Sequence, residues 1–281
     1  MIIYDISKLM LEASGDDGDN LSQYNLGLYF KKGSKEHPSN WVEAAKWFKL
    51  AAKKENIEAQ YQLGSLYSMG LKGISKNIKD AIKWFELASK QEHTLSQYHL
   101  ARLLYDNKED YKDKHKAIKY FKKIAEKKFT QLDEQSVQLE SQLQLGLIYL
   151  HGDDEIKQDY KEALKWYKKA AEKGSEEAQY SLGVMYENGQ GVEVNLDESI
   201  KWFQLSAEQN AEDAQFALGI IFYNKKEYVN AYKWLRIANI NEHEQAKEVL
   251  DLLTENMSKE QIEKAENLVN ILIKNGLGLI L

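Results

Sequence analysis

The residues best suited to chemistry in this chain are its six histidines: His37, His93, His99, His115, His151 and His243. An imidazole acts as a base or a metal ligand when a second group stands beside it at helical spacing. No two of these histidines are three or four residues apart, and none lies in an HExxH motif. His93 and His99 are six residues apart, which puts them on different sides of a helix. Each reads as a surface or groove residue rather than a ligand. Cysteine is absent, so there is no thiol nucleophile and no Cys-based zinc site. GxSxG, SxxK and the phosphate-cradling GxxxxGK[ST] are also missing. Gly189-Gln190-Gly191 imitates half of a dinucleotide fingerprint, but it follows a helical stretch where a strand is required. The reading is of a non-enzyme with no catalytic residue, no cofactor and no metal.

What positions the side chains is a repeated unit, seen best from Ser175 to Gln209. Ala178, Leu182, Met185 and Tyr186 recur at helical spacing, which predicts a helix over Glu176–Asn188. Gly189-Gln190-Gly191 breaks it. Asn195 followed by Glu198 has the spacing of a capping box, and Ile200, Trp202, Phe203 and Ala207 mark a second helix. One such hairpin cannot bury both apolar faces, so it needs copies of itself as neighbours.

The copies are present. A Leu-Gly pair or its variant falls at Leu26-Gly27, Leu63-Gly64, Leu100-Ala101, Leu145-Gly146, Leu182-Gly183 and Leu218-Gly219. The second helices carry Trp47, Trp84, Tyr120, Trp166, Trp202 and Trp234. Successive Gly positions are 37, 37, 45, 37 and 36 residues apart. The one long interval is a nine-residue insertion around Phe129–Val137, and Leu132–Tyr149 is predicted as one lengthened first helix. A mostly helical repeat of this period means stacked hairpins.

The pattern AxxxLGxxY, GxGV, AxxWxxxAA resembles the Sel1-like repeat family, relatives of the tetratricopeptide repeats. It is carried by Ala178, Leu182, Gly183, Tyr186, Gly191, Val192 and Trp202. The resemblance implies an all-α, right-handed α/α superhelical solenoid. The expected layout is a single solenoid over residues 1–281: an N-terminal capping helix in 1–19, six repeats in 20–240, and a degenerate seventh hairpin with a C-terminal cap in 241–281. Ser258 to Gln261 reads as the capping box of the last helix, Gly276 as its end, and Leu277–Leu281 as a tail folded back on it.

Asn40, Asn77, Asp113, Asp159 and Asn195 each stand seven residues before the aromatic of the second helix, so each is expected to cap it. The recurring Gly is expected to let the second helix approach, with its Trp and Phe filling the space. Because Ala101 occupies that site in the third copy, Gly183→Ala is expected to be tolerated.

The formal charge is −6, with Lys and Glu interspersed, which argues against nucleic acid as a partner. No run approaches the ~18 apolar residues of a membrane span. There is no basic leader at the N-terminus, and no cysteine asks for an oxidising compartment, so cytoplasmic residence is expected. The partner is expected to be another protein or peptide, and the chain a monomer or weak oligomer.

In tetratricopeptide-like solenoids the first helices line the concave face. Resemblance therefore places three rows there: two residues before the Leu, one after the Gly and four after the Gly. From these rows the candidate partner site is Tyr61, Tyr98, Arg102, Leu147, Tyr180, Val184, Phe216, Ile220 and Tyr223. Val184 and Ile220 are expected to face water. The aromatic row is also open to a packing role. The functional expectation is an adaptor that binds a protein or peptide in this groove. Two alternatives are an immunity protein neutralising a toxin, which the acidic balance suits, and a weak cell-wall or β-lactam hydrolase, for which the chain lacks an acylating serine motif.

Overall fold

The computed structural model describes residues 19–33, 38–106, 112–274 and 276–277. The predicted N-terminal capping helix, His37 and Gly278–Leu281 of the tail lie outside the described residues. Among those described, fourteen α-helices are present and no β-strand, only a lone antiparallel bridge between Leu71 and Ile74 in a turn. They form two compact units, residues 1–141 and 142–281.

The first unit contains α1 (Asn20–Lys32), α2 (Trp41–Lys53), α3 (Ile57–Met69), α4 (Ile78–Lys90), α5 (Thr94–Asp106) and α6 (Lys114–Glu126). The next helix, α7 (Leu132–His151), carries the boundary within it. The second unit continues with α8 (Tyr160–Ala171), α9 (Glu176–Asn188), α10 (Leu196–Ala207), α11 (Glu212–Asn224) and α12 (Tyr228–Ile240). It closes with α13 (Ala246–Thr254) and α14 (Lys259–Lys274). The pairs α1–α2, α3–α4, α5–α6, α9–α10 and α11–α12 pack as hairpins. The second helices α2, α4, α8 and α10 each also pack on the first helix that follows. The insertion is an N-terminal extension of α7, which has 20 residues against 13 in α5 or α9. The Gln138 amide donates to the Lys127 and Ala125 carbonyls and ties that extension to the end of α6.

All five predicted caps are in place. Asn40, Asn77, Asp113, Asp159 and Asn195 accept from the amide three residues on, at 2.9–3.1 Å. Each such cap contributes about 1 kcal/mol of helix stability. Ser258 and Gln261 bond reciprocally, Gln261 N to Ser258 Oγ at 3.2 Å and Ser258 N to Gln261 Oε1 at 2.9 Å. The first helix of the degenerate seventh hairpin starts at Ala246. Glu242 has a left-handed backbone, and the chain turns before it re-enters a helix.

Of the Trp and Phe expected to fill the space, it is the residue after the Trp that each repeated Gly faces. A Cβ on Gly27, Gly64 or Gly183 would lie 2.4–2.5 Å from the ring of Phe48, Phe85 or Phe203. On Gly146 it would meet Tyr167 at 2.7 Å, and on Gly219 it would meet Leu235 at 2.6 Å. These partner side chains are fully buried. The expectation that Gly183→Ala is tolerated therefore fails. Ala101 itself is fully buried in its hairpin.

A buried amide recurs three residues before each Leu-Gly Leu. The side-chain amides of Gln60, Gln97, Gln179 and Gln215 donate to the carbonyls of Ala52, Ser89, Ala171 and Ala207 at 3.1–3.3 Å. Each adds a second donor to a carbonyl at the end of the preceding second helix, which already accepts from the backbone N–H three residues on, and so ties the new first helix to that turn. Three of the same glutamines accept in return, from Gln91, Gln209 and Asn241 at 2.8–3.0 Å.

Candidate functional site

The side chains of the first helices that core packing does not consume form the candidate face. In the first unit, α1, α3 and α5 lie in sequence along it. The aromatic row is largely spent on packing. Tyr61 is half-buried, with its ring 6.1 Å from Phe85, and Tyr180 stands 5.6 Å from Phe203. Burial pushes both phenols up from their ordinary value. Tyr98 is only 7% exposed and meets Phe121 edge-on, so it does not present an anchor. Phe216 is half-buried and stacked on His243 at 4.1 Å.

The other rows differ between the units. In the second unit Leu147 is 41% and Tyr223 is 37% exposed. Ile220 is half-buried. Val184 is half-buried and packs against the core cluster around Phe203 and Leu218, so it does not face water as expected. In the first unit the same rows hold Leu28 and Tyr105 beside the polar Lys31, Ser65, Ser68 and an exposed Arg102.

These polar residues line a cavity of about 460 Å³ together with Tyr61, Phe85 and His99. Lys31 Nζ donates to Gln62 Oε1 at 2.7 Å, and Arg102 Nε lies 3.9 Å from Asp106 Oδ2. His99 stacks on Phe85 with ring centroids 5.5 Å apart and planes 14° apart. His93 and His99 are brought together after all, through the neighbouring helix: their rings lie 5.0 and 5.8 Å from that of Tyr61. His93 is the cap of α5. Its Nδ1 accepts from Ser96 N at 3.2 Å, and its Nε2 lies 3.3 Å from Glu58 Oε1. The bond from His93 holds the Glu58 carboxyl below the usual range. The fixed-spacing test within one helix missed His99, because its partners stand on α3 and α4.

Burial, then the charges of Arg102 and His93, lower the His99 imidazole from its ordinary value of 6.5. A folded value below the unfolded one favours the neutral ring in the fold. The stability this contributes is present above pH 6.5 and is lost as pH falls through the lower folded value. His99→Phe should therefore show a smaller drop in thermal midpoint than wild type between about pH 7 and pH 5. Parallel drops in the two proteins would contradict this assignment.

Among the described residues, no group of three or more His, Cys, Asp or Glu could hold a metal ion. No helix among them is long and apolar enough to cross a membrane.

The hairpins with their glycine–aromatic contacts define a repeat, and the family model of the Sel1 repeat matches residues 20–56, 57–93, 94–129, 139–175 and 176–210. The chain belongs to the Sel1 repeat family. The sixth hairpin, α11 with α12, lies beyond the five matched Sel1 repeats yet keeps their Gly219–Leu235 contact and their buried Gln215. Sel1 repeat proteins are typically non-enzymatic scaffolds that bind other proteins.

A protective antigen of uropathogenic Escherichia coli with an SLR fold matches at 26% identity and TM-score 0.65, over 96% of this chain and 56% of its own. The chain thus spans little more than half the length of that antigen. A Sel1 repeat protein of Oxalobacter formigenes matches at 26% identity and TM-score 0.55, over 73% of this chain and 77% of its own. An immunity protein of Pseudomonas aeruginosa matches at 20% identity and TM-score 0.35, over 72% of this chain and 70% of its own, too distant to bear on function. No curated protein matches the chain.

Proposed function

We propose that this Sel1 repeat chain is a non-enzymatic adaptor that holds a partner protein on the face lined by its first helices. The observation that supports this reading is the exposed apolar pair on that face of the second unit. Leu147 and Tyr223 are 41% and 37% exposed. Exposed apolar side chains in such rows mark protein-binding surfaces, and aromatics are the usual anchors.

The test uses these two residues, since Val184 is half-buried against the core. A Leu147→Glu, Tyr223→Glu double variant should fold with stability within about 1 kcal/mol of wild type, because both sites meet water. In a complex the two charges would be buried without partners, at a cost of several kcal/mol. The partner captured from native cells by the wild-type chain should then bind at least about a hundredfold more weakly in calorimetric titration. Lys161→Ala, on the exposed start of α8, should bind as wild type. A folded double variant that binds at full strength would place the partner elsewhere.

A further inference from the structure

We propose that the cavity of the first unit is a subsite for an acidic side chain, Asp or Glu, in an extended segment of the partner. This rests on the adaptor reading and adds to it the chemistry that the partner must carry.

The chain as a whole repels acids, with a formal charge of −6. This cavity is an exception. Its charged lining residues are Lys31, Arg102 and Asp106, two positive and one negative. The one polar partner of Lys31 Nζ among the described residues is the Gln62 side chain, a neutral amide at 2.7 Å. Among the described residues that bond sets no opposite charge against the ammonium, which has two further donors. Arg102 and Asp106 meet only at 3.9 Å, at the outer limit of ion pairing, and are 54% and 62% exposed. A pair so exposed contributes little and gives way to a better-placed carboxylate.

The cavity floor supplies the second half of the argument. Phe85, Tyr61 and His99 form a ring-lined base, and burial keeps His99 on the side of its neutral form. Charges above such a floor are less screened than on an open surface. A volume of about 460 Å³ is also within the range of sites that enclose a ligand group. Cations at the rim over an apolar floor fit an acidic side chain flanked by an apolar one. A neutral peptide would leave Lys31 without a counter-charge, and a basic one would be repelled. Asp106 is the one lining group that opposes an acid, and it does so by occupying Arg102.

The experiment presents fluorescein-labelled decapeptides of randomised sequence to the full chain and reads fluorescence anisotropy. Bound peptides are expected to share an Asp or Glu beside an apolar residue. The corresponding Asn or Gln peptides should bind about tenfold or more weakly, a loss of about 1.4 kcal/mol. Lys31→Gln and Arg102→Gln should each weaken the acidic peptides by a similar factor and leave the neutral ones unchanged. Asp106→Asn should tighten acidic peptides severalfold, a gain that a merely structural role would not produce. Circular-dichroism melts confirm that the variants fold. Peptides bound without acidic preference, or bound equally by all three variants, overturn this inference and leave the adaptor reading standing. Failure of every peptide to bind overturns the subsite, while the titration of the captured partner against the Leu147→Glu, Tyr223→Glu variant still decides the adaptor reading.

Discussion

Leucine at position 183 should largely unfold the α9–α10 hairpin, and even alanine there should lower the thermal midpoint. The Gly183 Cα faces Phe203 so closely that an added Cβ would lie 2.5 Å from ring carbon Cδ1 and 2.6 Å from Cε1. The ring cannot swing out, because Phe203 is fully buried and Tyr180 packs on it. Overpacking by one methyl costs about 1–3 kcal/mol. Replacing a mid-helix Gly by Ala returns about 0.5–1 kcal/mol of helix propensity. The clash wins, and Gly183→Ala should lose about 1 kcal/mol net. Gly183→Leu brings three more carbons into the same contact and should lose upwards of about 4 kcal/mol, at the far end of single-site effects. A compensating exchange separates packing from other causes. Gly183→Leu combined with Phe203→Ala should be less destabilised than the sum of the two singles, because the leucine fills the space the ring vacates. Thermal and urea melts of the four variants provide the measurement. Strict additivity, or an alanine variant as stable as wild type, would sink the contact as the reason for glycine.

The same contact shows what could be read from the sequence and what could not. The position of the Gly was plain from its period, and the caps were plain because an N-cap is a single residue at a fixed distance from the helix it starts. The partner of the Gly was not. Trp202 and Phe203 are adjacent on one helix and point about 100° apart, so pattern alone cannot say which meets Gly183. The structure gives the contact to Phe203. The buried glutamines were visible in principle, since Gln23, Gln60, Gln97, Gln142, Gln179 and Gln215 all stand three residues before the repeated Leu. A search for apolar periodicity passes over them, although each is at most 5% exposed. A polar residue at a strict structural period is the signal that would have found them.

The candidate face was half legible for a related reason. Tyr61 and Arg102 of the expected site line one cavity with Lys31, Ser65 and Ser68 of the same rows. Register within the repeat could not add Phe85, which comes from a second helix, or His99, whose ring is held by residues of α3 and α4. Nor could register tell a half-buried Val184 from an exposed Leu147 in the same row. Exposure there depends on how closely the next hairpin packs, and that is a property of two helices rather than one.

Removing residues 246–281 should turn α12 into an open apolar face. Both α13 and α14 pack on α12. They bring Leu250, Leu253, Ala265 and Val269, and the turn after α14 brings Leu277, into the cluster that buries Tyr232, Trp234 and Leu235. Glu266 of α14 also accepts from the Tyr232 phenol at 2.6 Å and pairs with Arg236 at 3.4 Å. Burial and this carboxylate push the Tyr232 phenol up to about 12. Burying a large aliphatic side chain contributes about 1.5–3 kcal/mol, so the four largest lost here account for roughly 6–12 kcal/mol of transfer free energy. Much of that is offset, because the shortened chain no longer orders about thirty residues. The net stability of the remaining hairpins is therefore a poor readout, and the exposed surface is the sharp one. The deletion variant should bind a hydrophobic dye and self-associate with rising concentration, and Tyr232 should ionise about two pH units lower, near the ordinary value of 10, while Tyr167, also held near 12, stays shifted. Glu266→Gln in the full-length chain should also bring that phenol down, without dye binding, because α14 stays in place. A shortened protein that remains monomeric and dye-silent would mean that the α11–α12 hairpin closes the unit by itself and that α14 is dispensable as a cap.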